Sequence, residues 1–133
     1  MNVVYDYPPN YSAIITVFPD VITREGVIFT YGDTIYSPVV QDIPEHLHVH
    51  EMVHMQQQGD NPEGWWDQYL VDEEFRLDQE VEAYHEQYES VKDRMESTIL
   101  QMQFLMVIAQ DLSSSMYGNI VSLPDAVQLI QGS

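Results

Sequence analysis

The segment His50-Glu51-Met52-Val53-His54 constrains this chain more than any other stretch. Residues four apart on an α-helix project from one face, one turn apart. A helix through the segment therefore aims two imidazoles at a common point, where their nitrogens can share a zinc ion. Glu51, beside the first histidine, stands where a carboxylate can take a proton from a water activated by that ion. The pentapeptide needs a third ligand and suitable surroundings.

The bulk of the sequence narrows the setting. A chain of 133 residues makes one domain with a modest core; residues 1–40 read as its β-rich part and 41–133 as its helical part. The absence of cysteine excludes disulfides, thiolate metal sites and thiol nucleophiles. Four basic residues against 22 acidic ones give a formal charge of −18, a surface that repels phosphates and so argues against nucleic acid and anionic membranes as partners. Thirteen of the acids lie between Asp60 and Glu96. They form a solvated helical face or, on a sharper view, a field that attracts cationic substrates. Met1 to Pro9 carry neither the basic nor the apolar region of a secretory signal. The longest apolar stretch, Ile99–Ala109, is interrupted by glutamines and too short to span a bilayer.

Local patterns predict the elements. Ile14–Phe18 is β-rich and ends at Pro19-Asp20, which predicts a strand. Val27–Tyr31, Gly32-Asp33 and Thr34–Tyr36 predict a hairpin with a two-residue turn. Met1–Ser12, with Pro8-Pro9, reads as an irregular arm. Asp42 and Glu45 form a capping-box pair, so the motif helix is expected over Ile43–Gln58 and is broken by Gly59-Asp60-Asn61-Pro62. Further helices are expected over Glu63–Glu89 and Val91–Leu112, with a short last one from Ser122-Leu123-Pro124-Asp125 to Gly132. In the third helix Val91, Met95, Ile99, Met102, Met106 and Ala109 keep a helical period and are expected to pack in the core.

The third ligand is sought on the helix after the motif. The long metzincin pattern fails, because Gln57 and Asp60 stand where it needs glycine and histidine. The apolar stripe of the following helix runs Trp66, Leu70, Leu77, Val81, Tyr84 and Tyr88, and Glu73 and Glu80 fall on or beside it. An inward carboxylate is costly to bury unless it is paired or bound to a metal. Glu80 is the best candidate on this geometry, with Glu73 and Glu82 as the alternatives.

His50–Gln57 followed by Glu80-Val81-Glu82-Ala83-Tyr84 resembles the small gluzincin-type metallopeptidases, particularly minimal HExxH proteins of phages and bacteria. Trp65-Trp66, Phe75-Arg76 and Leu112–Asn119 add to the likeness, which covers roughly residues 34–130. The resemblance implies a zincin-like α+β minidomain with a small N-terminal β-sheet on three main α-helices and a short C-terminal helix. It implies a zinc site of His50, His54 and Glu80, with Glu51 as general base for the hydrolysis of a peptide or protein substrate. It also implies that Thr34–Tyr36 offers a free edge to that substrate, and a location in the host cytoplasm or the virion. Better-known gluzincins carry an aspartate shortly after the ligand glutamate; here Tyr84 and His85 stand in that region.

Tyr84, His85 and Tyr117 are candidate donors to the oxyanion of a peptide under attack. Trp65 and Trp66 are expected to lock helices together rather than bind substrate. His46 lies one turn before His50, and the bland reading of His46 and His48 is an exposed helix start. The rival to an enzyme is a non-catalytic structural or assembly protein of a phage particle, partnered by other phage structural proteins and using the zinc site as a fold staple. A structural site is normally closed by a fourth ligand, which His46 or His85 would supply.

Overall fold

The computed structural model describes residues 2–132; the first residue of the expected arm, Met1, lies outside them. Among the described residues the protein is α+β, with six α-helices and one three-stranded sheet. No helix among them is long and apolar enough to cross a membrane.

The strands are β1 (Asn2–Val4), β2 (Phe29–Tyr31) and β3 (Thr34–Tyr36), in the order β1-β3-β2. The hairpin forms as the sequence predicts: β2 and β3 are antiparallel, with Thr30 opposite Ile35, and Gly32 takes φ +63° in the turn, a conformation glycine adopts without steric cost. The arm is not wholly irregular. Its Asn2–Val4 pairs parallel with β3, Val3 opposite Ile35. The edge expectation for Thr34–Tyr36 therefore fails, because β3 is the central strand.

The strand expected at Ile14–Phe18 is instead part of helix α1 (Tyr11–Val17), followed by a 3₁₀ turn at Pro19–Thr23. Tyr11, Ile14, Ile15 and Phe18 recur at i, i+3, i+4 and i+7, and Ile14 and Phe18 are buried. That helical period outweighs the β-branched composition, because the neighbouring core rewards one apolar face rather than two.

The motif helix α2 (Glu45–Gln58) begins after Pro44, with no side-chain cap and with Asp42 exposed, so the capping box does not form. The long second helix divides. α3 (Pro62–Val71) ends at Asp72, whose extended backbone turns the chain and whose carboxylate accepts the Phe75 N–H (3.0 Å) to start α4 (Glu73–Lys92). α5 (Thr98–Leu112) begins at Ser97, which accepts the Leu100 N–H, rather than at Val91. A short 3₁₀ turn at Ser115–Tyr117 leads to α6 (Leu123–Gln131), capped by Ser122 as expected.

The core gathers Ile14, Phe18, Phe29, Trp65, Trp66, Tyr84, Leu105, Leu112 and Ile130. Of the expected methionine stripe only the two ends, Val91 and Ala109, are buried. α5 turns Leu105, Ile108, Ala109 and Leu112 inward, a second set at i, i+3, i+4 and i+7, and leaves Ile99, Met102 and Met106 outside. α2 packs along α4, and β2 lies against α2.

Candidate metal centre

His50 and His54 project from the middle of α2 toward α4, which presents Glu80 between them. His50 Nε2 lies 3.1 Å from Glu80 Oε1, His54 Nε2 3.2 Å from the same oxygen, and the two Nε2 atoms 3.1 Å apart. All three side chains are buried. The ligands of a tetrahedral zinc stand about 3.3 Å apart, given bonds of roughly 2.0–2.1 Å, so the triangle has the size for one ion. Among the described residues these three form the group that could hold a metal ion.

The surrounding hydrogen bonds decide what the triangle offers. Gln57 Nε2 donates to the Gln79 carbonyl (3.0 Å) and to Glu82 Oε1 (2.8 Å). With both acceptors on that side, Gln57 Oε1 must face His54 Nδ1, 2.8 Å away, and His54 Nδ1 must carry the proton. Gln87 does the same for His50: its Oε1 accepts from Nδ1 (2.9 Å) while its Nε2 donates to His46 Nδ1 (2.8 Å). Tyr69 O–H donates to Glu80 Oε2 at 2.6 Å, which leaves Oε1 for the triangle. Two lone pairs and a carboxylate oxygen thus converge without a donor among them. Such a cluster calls for a cation, either a metal or a proton.

The titration shifts agree. Burial works against charge on His54, but the charge and hydrogen bonding of Glu80, with Glu51 and Gln57 adding to them, raise it to about 9. Burial would raise Glu80, yet the charge of a protonated His54 beside it holds it well below the usual carboxylate range. Without a metal, a proton on His54 fills the place.

Glu51 is buried beside the triangle, its Oε2 3.8 Å from His50 Nε2. Thr30 Oγ1 donates to Glu51 Oε1 (3.0 Å), which holds one oxygen and leaves the other facing the histidines. Burial raises the Glu51 carboxyl, and Glu80 adds to the rise, against the pull of both histidines and Thr30. Thr30 is itself fixed, since its carbonyl accepts from Gln58 Nε2 (2.8 Å) and Trp66 Nε1 (3.0 Å). The outward carbonyl of edge strand β2 is thereby taken at Thr30.

A cavity of about 210 Å³ opens on this side, lined by the triangle, Glu51, Ile14, Phe18, Val21, Trp66, Tyr84 and Tyr117 and by the approach Arg24–Ile28. Tyr84 and Tyr117 share a hydroxyl hydrogen bond of 2.7 Å. Burial, then the charge of Glu80, raise both well above the ordinary phenol range, so both remain proton donors. Arg76, buried, donates through Nε to the Tyr117 carbonyl (3.0 Å) and through Nη1 to the Tyr69 carbonyl (2.5 Å), and so holds two tyrosines of the site in place.

The remaining candidates lie elsewhere. His85 donates from Nδ1 to the Ile130 carbonyl (2.7 Å) at the end of α6. Glu82 anchors Gln57, and Glu73 is exposed in the first turn of α4. His46 is half-buried rather than exposed and sits edge-on to Phe104 (5.3 Å), so neither proposed fourth ligand reaches the triangle. Trp65 and Trp66 are buried, Trp65 tilted against His54 (5.3 Å). Sequence inspection missed Thr30, Gln57, Tyr69, Arg76 and Gln87. Three had a signal: Gln57 follows His54 by three residues, Gln87 follows Glu80 by seven and Arg76 precedes it by four, each on the same helical face. Thr30 and Tyr69 reach the site through the fold alone.

Compared with protein-family models, curated proteins and solved structures, the chain matches none of them.

Proposed function

We propose that this chain is a zincin-like, gluzincin-type peptidase that hydrolyses a peptide bond with one zinc ion held by His50, His54 and Glu80. The observation that carries this reading is the converging triangle with Glu51 beside it and a cavity, rather than a fourth side chain, on the open side. Two imidazoles and one carboxylate with a vacant fourth position is the donor set of catalytic zinc. Zinc bound there supplies Lewis acidity, making a water acidic near neutral pH and polarising the scissile carbonyl.

The chain's own groups do the rest. Glu51 Oε2 takes a proton from the attacking water and returns it to the leaving amine, while Thr30 keeps the other carboxylate oxygen still. A carboxyl raised by burial is a better base for this step than a solvated one. Tyr84 and Tyr117 keep their protons, and whichever hydroxyl accepts in their mutual hydrogen bond has its own proton to donate to the developing oxyanion. Gln57 and Gln87 present both imidazoles as neutral Nε2 ligands. With β3 enclosed and the Thr30 carbonyl occupied, a substrate chain enters along Val27 and Ile28.

The test measures metal content and peptide cleavage together. One zinc per chain in the wild type, a clear loss in Glu80→Gln and cleavage abolished in Glu51→Gln with zinc retained are expected. Stoichiometric zinc without cleavage of a diverse peptide library would instead favour a structural role. A chain that takes up no metal would remove the basis of the reading.

A further inference from the structure

The two glutamines that hold the histidines are not equivalent. Gln57 Nε2 donates to a backbone carbonyl and to a carboxylate. An ionised carboxylate and a carbonyl only accept, so the proton on His54 Nδ1 is set by groups with a fixed role. Gln87 Nε2 donates instead to an imidazole, His46 Nδ1, which accepts or donates according to where its own proton sits. Gln87 is 1% exposed, and both ends of its carboxamide meet imidazoles, so solvent does not take over either bond.

The chain His46–Gln87–His50 therefore has two self-consistent arrangements. In one, His46 Nδ1 accepts from Gln87 Nε2, Gln87 Oε1 accepts from His50 Nδ1, and His50 Nε2 keeps its lone pair. In the other every bond is reversed. His46 Nδ1 donates, the carboxamide is turned over, and His50 carries its proton on Nε2, 3.1 Å from Glu80 Oε1. Glu80 accepts from both histidines in that second arrangement, so the triangle by itself does not choose. The far end of the chain does.

We infer that His46 is a positioning residue for the metal centre: the lone pair on its Nδ1, relayed by Gln87, keeps the His50 proton on Nδ1 and leaves Nε2 free to bind zinc. This rests on the zinc reading proposed above. His46 must be uncharged to accept, and its surroundings favour that state. Burial, then Arg94 just beyond α4 and His50 on its own helix, lower it below its ordinary 6.5. α5 presents the uncharged Phe104 ring, edge-on at 5.3 Å.

Two substitutions separate this role from packing. His46→Glu offers only an acceptor when ionised, so it keeps Gln87 in place. His46→Phe keeps an aromatic ring against Phe104 but offers no acceptor. Zinc affinity by chelator competition at about pH 7.5 is expected to stay within about threefold of the wild type in His46→Glu and to fall roughly tenfold in His46→Phe, the lower end of what an outer partner of a ligand contributes. Long-range nitrogen–proton correlation spectra of the metal-free chains give a second readout. His50 should carry its proton on Nδ1 in the wild type and in His46→Glu, and divide it between both nitrogens in His46→Phe. Circular dichroism checks that each variant is folded. A residue that only packs gives the opposite order, His46→Phe matching the wild type and His46→Glu impaired, and that result would overturn the inference. So would a wild-type His50 protonated on Nε2. A wild type that binds no zinc would defeat the proposed function, while the metal-free spectra would still decide where the His50 proton sits and whether His46 sets it.

Discussion

α4 and α5 follow one another in the chain and invert the usual rule in opposite directions. α4 buries an arginine, a glutamate and a glutamine, while α5 leaves an isoleucine, a leucine, a valine and two methionines in the open. The polar side chains of α4 can be inside because each has a partner: Arg76 two carbonyls, Glu80 two imidazoles and a phenol, Gln87 two imidazoles. Only one face of α5 finds apolar neighbours, on α4 and α6. Polarity therefore sets what a face needs, and the supply of partners sets where it ends up.

Adjacent positions on α5 give the sharpest break. Leu105→Ala, at a fully buried residue, is expected to cost about 2–5 kcal/mol. Met106→Ala, one residue on, should cost less than about 0.5 kcal/mol. Urea denaturation compares them, and equal costs would mean that α5 is rotated about its axis relative to the core.

On α4, Arg76→Met keeps much of the volume but strands the carbonyls of Tyr69 and Tyr117. A loss of about 2–3 kcal/mol is expected, as for buried groups left unsatisfied, and the same denaturation series reads it. A neutral outcome would show that the guanidinium contributes position rather than stability.

A smaller effect isolates the glutamine shell. Gln57→Leu removes the acceptor that fixes His54, and chelator competition should show zinc binding weakened about 10–100-fold, as for other outer partners of metal ligands. The melting temperature of the metal-free variant should stay close to that of the wild type.

The smallest effect lies at the joint before α4. The Phe75 N–H bonded to Asp72 lowers this exposed carboxyl below its ordinary 3.8. A depressed folded value means that its stabilisation is present above pH 3.8 and is lost as pH falls through the folded value. The stability gap between wild type and Asp72→Ala should therefore be constant at neutral pH and narrow below pH 3.8.

These contrasts also explain what the sequence could reveal. The paired histidines and the inward Glu80 were legible because helical spacing is fixed and an unpaired buried carboxylate is prohibitive. The hairpin was legible because Gly32-Asp33 carries turn chemistry. α1 was misread because Ile14–Val17 has strand composition, whereas the deciding period begins earlier, at Tyr11. On α5 two apolar sets keep equally good helical periods, and only the placement of α6 chooses between them. The pairing of β1 with β3 spans some thirty residues and leaves no local mark. The Asp72 break was hidden because an aspartate in an acidic run looks like ordinary solvated surface.

Gln57 bridges more than a histidine and a carboxylate. Its two side-chain amide protons point at a backbone oxygen and an acidic side chain of α4, on either side of Glu80. A nitrogen-15 label at that one amide would therefore read the gap between the two helices, with its proton resonances and their exchange with solvent changing before the ligands themselves part.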